Sequence, residues 1–389
     1  MDSAGVGFYW LVLASAVASG WLIAWFGYSR KFKNTDFDLP SAYFKGLNYL
    51  LNEEPDKAIE VFVQVLEVNS ETIETHLALG NLFRRRGEVE RAIRIHQNLM
   101  ARPALSNEQR SLALMELGRD YLKAGLYDRA ENLFQELTED RKQGREVLRS
   151  LLQIYEYEKE WKKAIEIANK LSATDRVPMN DIIAQYHCEL ADAAITASDF
   201  TAANKLARQA LSIEPGCVRA SLIIGNIEAE LSNHREAIKA WNQIGEQDAM
   251  FLGEVAEKVR DSFVALKDKE GLVKFFQTAL DKHKTISIMQ VMSSIISKEQ
   301  GHAAAENFVI EWLRKKPTVH GLYRLLDLRL EKQGADVDND LVLLRGMIGE
   351  LKKEHEGYVC QNCGFRGKVM HWLCPGCHKW NTIRPLSGE

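Results

Sequence analysis

Positions 3–29 carry no charged side chain, and positions 6–26 form an apolar stretch of 21 residues. As a helix rising about 1.5 Å per residue it spans roughly 30 Å, enough for one crossing of a hydrocarbon core. Tyr9 and Trp10 lie near one end of the stretch, and Trp21, Trp25 and Tyr28 near the other, as expected of amphipathic rings at the two interfaces. Beyond it the pattern changes. Apolar residues return at helical spacing on a longer beat, with Ala58, Ala92, Ala130, Ala164, Ala203 and Ala237 separated by 34, 38, 34, 39 and 34 residues. Gly46, Gly80, Gly118 and Gly225 stand twelve residues before four of these alanines. Tyr49, Phe83, Tyr121 and Tyr155 stand nine before, and Phe62, Phe134 and Trp241 four after. Each unit therefore predicts two helices that approach closely at the small residues, with rings filling the remaining space.

A period of 34 with these residue types resembles the tetratricopeptide repeat. One helix pair cannot bury its apolar faces alone, so the units must stack. Six repeats are expected over 39–248, with the longer intervals absorbed by loops at 102–110 and 173–181. Leu272, Phe276 and Ala279 fit a seventh repeat. Ala305, Val309, Trp312 and Pro317 fit an eighth, and a helical stretch over 322–355 caps the array.

Arg30, Lys31 and Lys33 follow the apolar stretch. Positive flanks stay on the cytoplasmic side, so residues 30–389 are expected in the cytoplasm. Ala16-Val17-Ala18 has the look of a signal-peptide cleavage site. A signal peptide, however, needs a basic start, which Asp2 contradicts, and apolar residues continue past Ala18. The stretch reads as a retained anchor. Ala14 and Ala18, with Ser15 and Ser19, allow close helix contact in the membrane, and a homodimer stays open. Only 8 prolines interrupt a chain rich in helix formers. The net charge of −4 argues against nucleic acid as main partner.

Four of the six cysteines fall near the end, as Cys360-x2-Cys363 and Cys374-x2-Cys377; Cys188 and Cys217 stand alone in helical sequence. That is not the framework of a small secreted domain. Two such knuckles place four thiolates at the corners of a tetrahedron and bind one iron or zinc ion. Gly364 and Gly376 let the backbone turn tightly and aim N–H groups at sulfur. The pattern resembles rubredoxin and the zinc ribbons. His378 departs from it by replacing the glycine that follows the last cysteine of rubredoxin, which argues against electron transfer. Tyr358, Phe365, Trp372 and Trp380 are expected to form the core of this module and to dock it onto the last repeats. Arg366, Lys368, Lys379 and Arg384 leave a nucleic-acid-binding zinc ribbon as an alternative, beside a rubredoxin-type electron carrier.

By resemblance to the repeat family, groove positions of the second and third repeats include Asn81, Arg84, Arg85, Arg119 and Lys123. This basic patch suits an acidic peptide; the alternative is a solvated charged face. There is no phosphate loop, no G-x-S-x-G and no H-E-x-x-H. His187-Cys188-Glu189 is half of a zinc deaminase pattern, but Leu373 stands where the other half needs proline. His76 and His96 read as packing or surface residues. No catalytic role is expected.

An apolar span, tetratricopeptide repeats and a cysteine knuckle pair, in that order, carry the segments GNLFRRRGEVERAIRIHQNLM (80–100), LGRDYLKAGLYDRAENLFQELT (117–138), YVCQNCGF (358–365) and HWLCPGCHKWNTIRP (371–385). Together they resemble the lipopolysaccharide assembly protein B family of Gram-negative bacteria over roughly 41–386. The resemblance implies a single-pass protein of the bacterial inner membrane with its bulk in the cytoplasm, regulating lipopolysaccharide biosynthesis. The implied partners are a membrane-bound ATP-dependent metalloprotease, the lipid A pathway deacetylase it degrades, and lipopolysaccharide assembly and transport proteins. The family's metal ligands fall on Cys360, Cys363, Cys374 and Cys377. The expected fold class is an all-α tetratricopeptide-repeat solenoid with an N-terminal transmembrane helix and a small C-terminal rubredoxin-like or zinc-ribbon domain. The expected divisions are an anchor at 6–28, a linker at 29–40, the array at 41–355 and the metal domain at 356–386.

Overall fold

The computed structural model describes residues 73–386 except 104, 140–143, 334–338 and 355–356, with a few scattered positions before 73. Most of the expected anchor, the linker and most of the first repeat lie outside the described residues. Among those described, no helix is long and apolar enough to cross a membrane.

From residue 73 the described chain runs through sixteen α-helices and ends in three short strands. The helices are α1 (Ile73–Arg85), α2 (Val89–Met100), α3 (Asn107–Lys123), α4 (Tyr127–Glu136), α5 (Gly144–Tyr157), α6 (Trp161–Asp175), α7 (Asn180–Thr196) and α8 (Phe200–Ile213), followed by α9 (Val218–Glu230), α10 (His234–Gln247), α11 (Leu252–Ala265), α12 (Lys269–His283), α13 (Ile286–Gln300), α14 (His302–Lys315), α15 (Val319–Gln333) and α16 (Asn339–Glu354). Two compact units divide between Ala130 and Glu131. In the first, α1 and α2 form a hairpin against which α3 packs. In the second, hairpins α5/α6, α7/α8, α9/α10, α11/α12, α13/α14 and α15/α16 follow one another. The stretch expected to cap the array is thus itself a hairpin.

The repeat beat corresponds to packing positions. Ala92, Ala130, Ala164, Ala203 and Ala237 are all fully buried. Five residues before each, the backbone turns left-handed, at Gly87, Gly125, Lys159, Ser198 and Ser232. In every one of these turns an N–H four residues before the alanine donates to the carbonyl nine before it, as Glu160 N–H does to Tyr155 O at 2.9 Å, which closes the C-terminus of the preceding helix. Lys267 adopts the same conformation and Asp268 N–H donates to Phe263 O, so Leu272 occupies the alanine position of α12. The glycine beat has its own cause. A Cβ on Gly225 would lie 2.2 Å from Trp241 Nε1, and one on Gly80 would lie 2.3 Å from His96 Nε2. Each glycine makes room for a ring sixteen residues later. His96 supplies that ring in its repeat, which settles it as a buried packing residue.

Cys188 and Cys217, expected to stand alone, have sulfurs 3.8 Å apart in the buried seam between α7 and α9. Cys217 is the residue capping the N-terminus of α9 and not part of a helix.

Candidate metal centre and its seat on the helices

Strand β1 (Tyr358–Cys360) lies between β2 (Arg366–Gly367) and β3 (Ile383–Pro385), antiparallel to both. The pairing Cys360↔Ile383 fixes the first knuckle against the chain end. The two knuckles repeat one set of bonds. Cys360 N–H donates to Phe365 O at 2.8 Å and Cys374 N–H to Lys379 O at 3.0 Å. Gly364 N–H donates to Cys360 O and His378 N–H to Cys374 O, each at 2.9 Å. Gly364 has φ 76° and His378 φ 51°. His378 therefore takes the left-handed conformation of the glycine it replaces, a conformation that costs an L-residue roughly 1–2 kcal/mol. The second knuckle therefore closes without glycine, by the same bonds as the first.

The sulfur atoms of Cys360, Cys363, Cys374 and Cys377 all lie within 4.8 Å of one another. Cys360–Cys377 and Cys363–Cys374 are each 3.7 Å apart, close to the edge of about 3.8 Å that a tetrahedron with metal–sulfur bonds of roughly 2.3 Å requires. The donor set is all thiolate, the kind that holds zinc or mononuclear iron. Thr382 Oγ1, hydrogen-bonded to Cys360 Sγ at 3.3 Å, and then the N–H groups of Cys363 and Asn362 pull the Cys360 thiol down to about 6. The N–H of Phe365 acts the same way on Cys363, but desolvation of its sulfur beside the other three and the bonds to the neighbouring thiols push it up to about 12. Four thiols in one cage cannot all ionise without a cation among them, and this site binds one metal ion. Cys360 and Cys374 are buried, while Cys363 is exposed, so one edge of the cage faces water. Among the described residues no other group of three or more His, Cys, Asp or Glu comes close enough to share an ion.

The module does not sit on the last repeats. Its aromatic residues reach back to helices α5–α11. Trp380 packs edge-on against Trp161 and Tyr186, with centroids 5.9 and 5.8 Å away. Its indole N–H donates to Glu156 Oε1 at 2.8 Å, an oxygen that also accepts from Tyr186 OH at 2.7 Å. Trp372 stacks on Phe251 at 5.5 Å, and the Arg219 guanidinium lies 5.8 Å from its ring. Arg384 pairs with Asp248 at 2.7 Å, and Tyr358 OH donates to Glu254 Oε1 at 2.9 Å. Burial, and then the Glu254 charge, push the Tyr358 hydroxyl up to about 12. The matching acids and rings lie on or beside the middle hairpins, from Glu156 at the end of α5 to Glu254 at the start of α11. The surplus of aromatics in the module was readable from sequence. Their seat was not, because Glu156, Arg219, Asp248 and Glu254 look like ordinary helix residues.

The structure places the five groove residues on α1 and α3. Arg84 is not a free cation. It donates to Asp120 Oδ1 at 2.7 Å, Glu116 Oε2 at 2.5 Å and Asn81 Oδ1 at 2.6 Å. Burial opposes its charge, and the bonds to Glu116 and Asp120 outweigh that effect and raise its pKa. Asp120, fully buried, also bonds His96 Nδ1 at 2.5 Å. Arg119 donates to Glu116 at 2.6 Å. Arg85 and Lys123 are exposed.

A family model described as the rubredoxin metal binding domain matches residues 358–385, and tetratricopeptide repeat models match 75–111, 115–176 and 188–249. Lipopolysaccharide assembly protein B of Escherichia coli K12 is 34% identical over 379 residues, covering 97% of this chain and 97% of that protein. Its namesake in Haemophilus influenzae is 32% identical over 389 residues, covering 97% and 98%. Among solved structures, a tetratricopeptide repeat protein from Parabacteroides merdae aligns with 67% of this chain and 99% of its own, at 15% identity and a TM-score of 0.31.

Proposed function

Since the chain belongs to the lipopolysaccharide assembly protein B family, we propose that it is a non-catalytic adaptor of the inner membrane that brings the lipid A pathway deacetylase to its membrane-bound ATP-dependent protease. Through this it ties lipopolysaccharide synthesis to assembly. The observation that carries the reading is how the metal module uses its side chains. Tyr358, Trp372, Trp380 and Arg384 all bind the protein's own helices, so the metal acts as a structural clasp on a surface built for contacts. The apolar stretch at 6–26 supplies the anchor, and Arg30, Lys31 and Lys33 keep the array on the cytoplasmic side. Tethering partners to one membrane raises their effective concentration to about the millimolar range for short linkers, so weak contacts by the repeats suffice.

The test is the half-life of the deacetylase after synthesis is stopped, in cells holding full-length protein or protein lacking residues 2–29 at equal abundance. Rapid decay is expected only with the full-length form. If the anchorless form restores decay, the span is not the tether. If the full-length protein leaves the half-life as in cells without it, the adaptor reading fails.

A further inference from the structure

The metal module differs in charge from the rest of the protein. Residues 357–388 contain no Asp or Glu and four basic residues, Arg366, Lys368, Lys379 and Arg384, in a chain whose net charge is −4. The remaining residues therefore carry −8. Four thiolates around a divalent ion would add two negative charges, and the module would still be positive. Arg384 is used in docking, where it pairs with Asp248. The others are not. Arg366, Lys368, His371, His378 and Lys379 are exposed, and Val369 among them is 65% exposed. Among the described residues Arg366 and Lys368 make no ion pair, and the Lys379 ammonium bonds only the neutral Asn362, at 2.9 Å. Most arginines of the array, by contrast, are paired, as Arg84, Arg219, Arg260 and Arg345 are.

We propose that the exposed cations of the metal module, Arg366 and Lys368 with the neighbouring Val369 and Lys379 in the second knuckle, form an outward docking surface for an acidic polypeptide segment that carries an apolar side chain. The inner face of the same module already shows the chemistry at work. There Arg384, Tyr358 and the Trp380 indole bind the carboxylates of Asp248, Glu254 and Glu156 on helices. The outward face offers the same kind of cationic donors to carboxylates of another chain. Two polyanions fit less well. Base recognition in single strands needs exposed aromatic platforms, and Trp372, Trp380 and Tyr358 all face inward. Binding to a phosphate backbone rests on neutralising many phosphates, and this face offers three cations, Arg366, Lys368 and Lys379. An extended anionic surface, lipid or nucleic acid, would further be repelled by the −8 carried by the rest of the chain, whereas a short peptide needs the module alone. The inference goes beyond the adaptor reading and does not depend on it.

The experiment uses the full, metal-loaded chain in neutral detergent, with labelled polyglutamate as probe and fluorescence anisotropy as readout. Polyglutamate should bind in a salt-dependent way, and R366E/K368E should weaken it about tenfold or more. R366Q/K368Q should fall between, and reversing the exposed array residues Lys269 and Lys298 should change little. Metal content and helicity, equal in all variants, exclude unfolding. Binding that is absent, or indifferent to R366E/K368E, overturns the proposal. So does displacement of polyglutamate, at equal charge, more strongly by single-stranded RNA or by phosphatidylglycerol in the micelles than by unlabelled polyglutamate, which would move the surface to those partners.

Discussion

At the scale of single residues, the repeat is a set of paired volumes. Gly225 and Trp241 form one such pair, since the indole occupies the space a side chain at 225 would need. Gly225→Ala should destabilise the protein by about 1–3 kcal/mol through overpacking, read as a lower denaturation midpoint and a shift in Trp241 emission. An unchanged midpoint would mean that α9 and α10 can move apart freely. The charged residues of α1 separate in the same way. Removing Arg84 leaves buried Asp120 without its guanidinium, so Arg84→Ala should cost about 3 kcal/mol. Arg85→Ala, on an exposed side chain, should stay within about 0.5 kcal/mol. Equal effects in denaturation curves would contradict the ion pairs. A binding test of the basic patch therefore belongs to Arg85 and Lys123, because a loss of binding on changing Arg84 would mix contact with folding.

At the scale of elements, the three-stranded metal module is too small to stand on apolar burial alone, and much of its folding free energy must come from the ion. Cys374→Ser should abolish stoichiometric metal binding and expose backbone amides over 358–385 to rapid hydrogen exchange, while helices α1–α16 keep their circular dichroism. Full metal content in this variant would remove Cys374 from the ligand set. Much of this was legible in the sequence: the alanine beat marked the helix pairs, and the cysteine spacing marked the cage. The seventh repeat carries a weaker signal, since Leu272 holds an alanine's place, and the left-handed Lys267 places it in the register that Leu272 and Phe276 had indicated. His96 read as a packing or surface residue, and the structure makes it a core ring at the offset of Phe134 and Trp241.

At the scale of the molecule, sequence patterns report neighbours along the chain and are silent about which distant surfaces match. That is why the module's seat on the middle hairpins was not legible, and why Cys188 and Cys217 looked solitary. The bond from Trp380 to Glu156 spans 224 residues, and this has a consequence for how the protein comes into being. Chains emerge from the ribosome N-terminus first, so Glu156, Trp161 and Tyr186 are made long before the residues that cover them. The seat is complete only once α11 has formed, and its occupant arrives about a hundred residues later. Closing so long a loop has an entropic cost that grows only slowly with length, so distance does not forbid the contact, but it does put it last. Every nascent chain passes through a stage in which the rings of α6 and α7 stand open to water. A chain cut short before residue 358 stays there. The docked module therefore marks a chain whose synthesis has passed residue 385, and before that point the rings that Trp380 covers are bare.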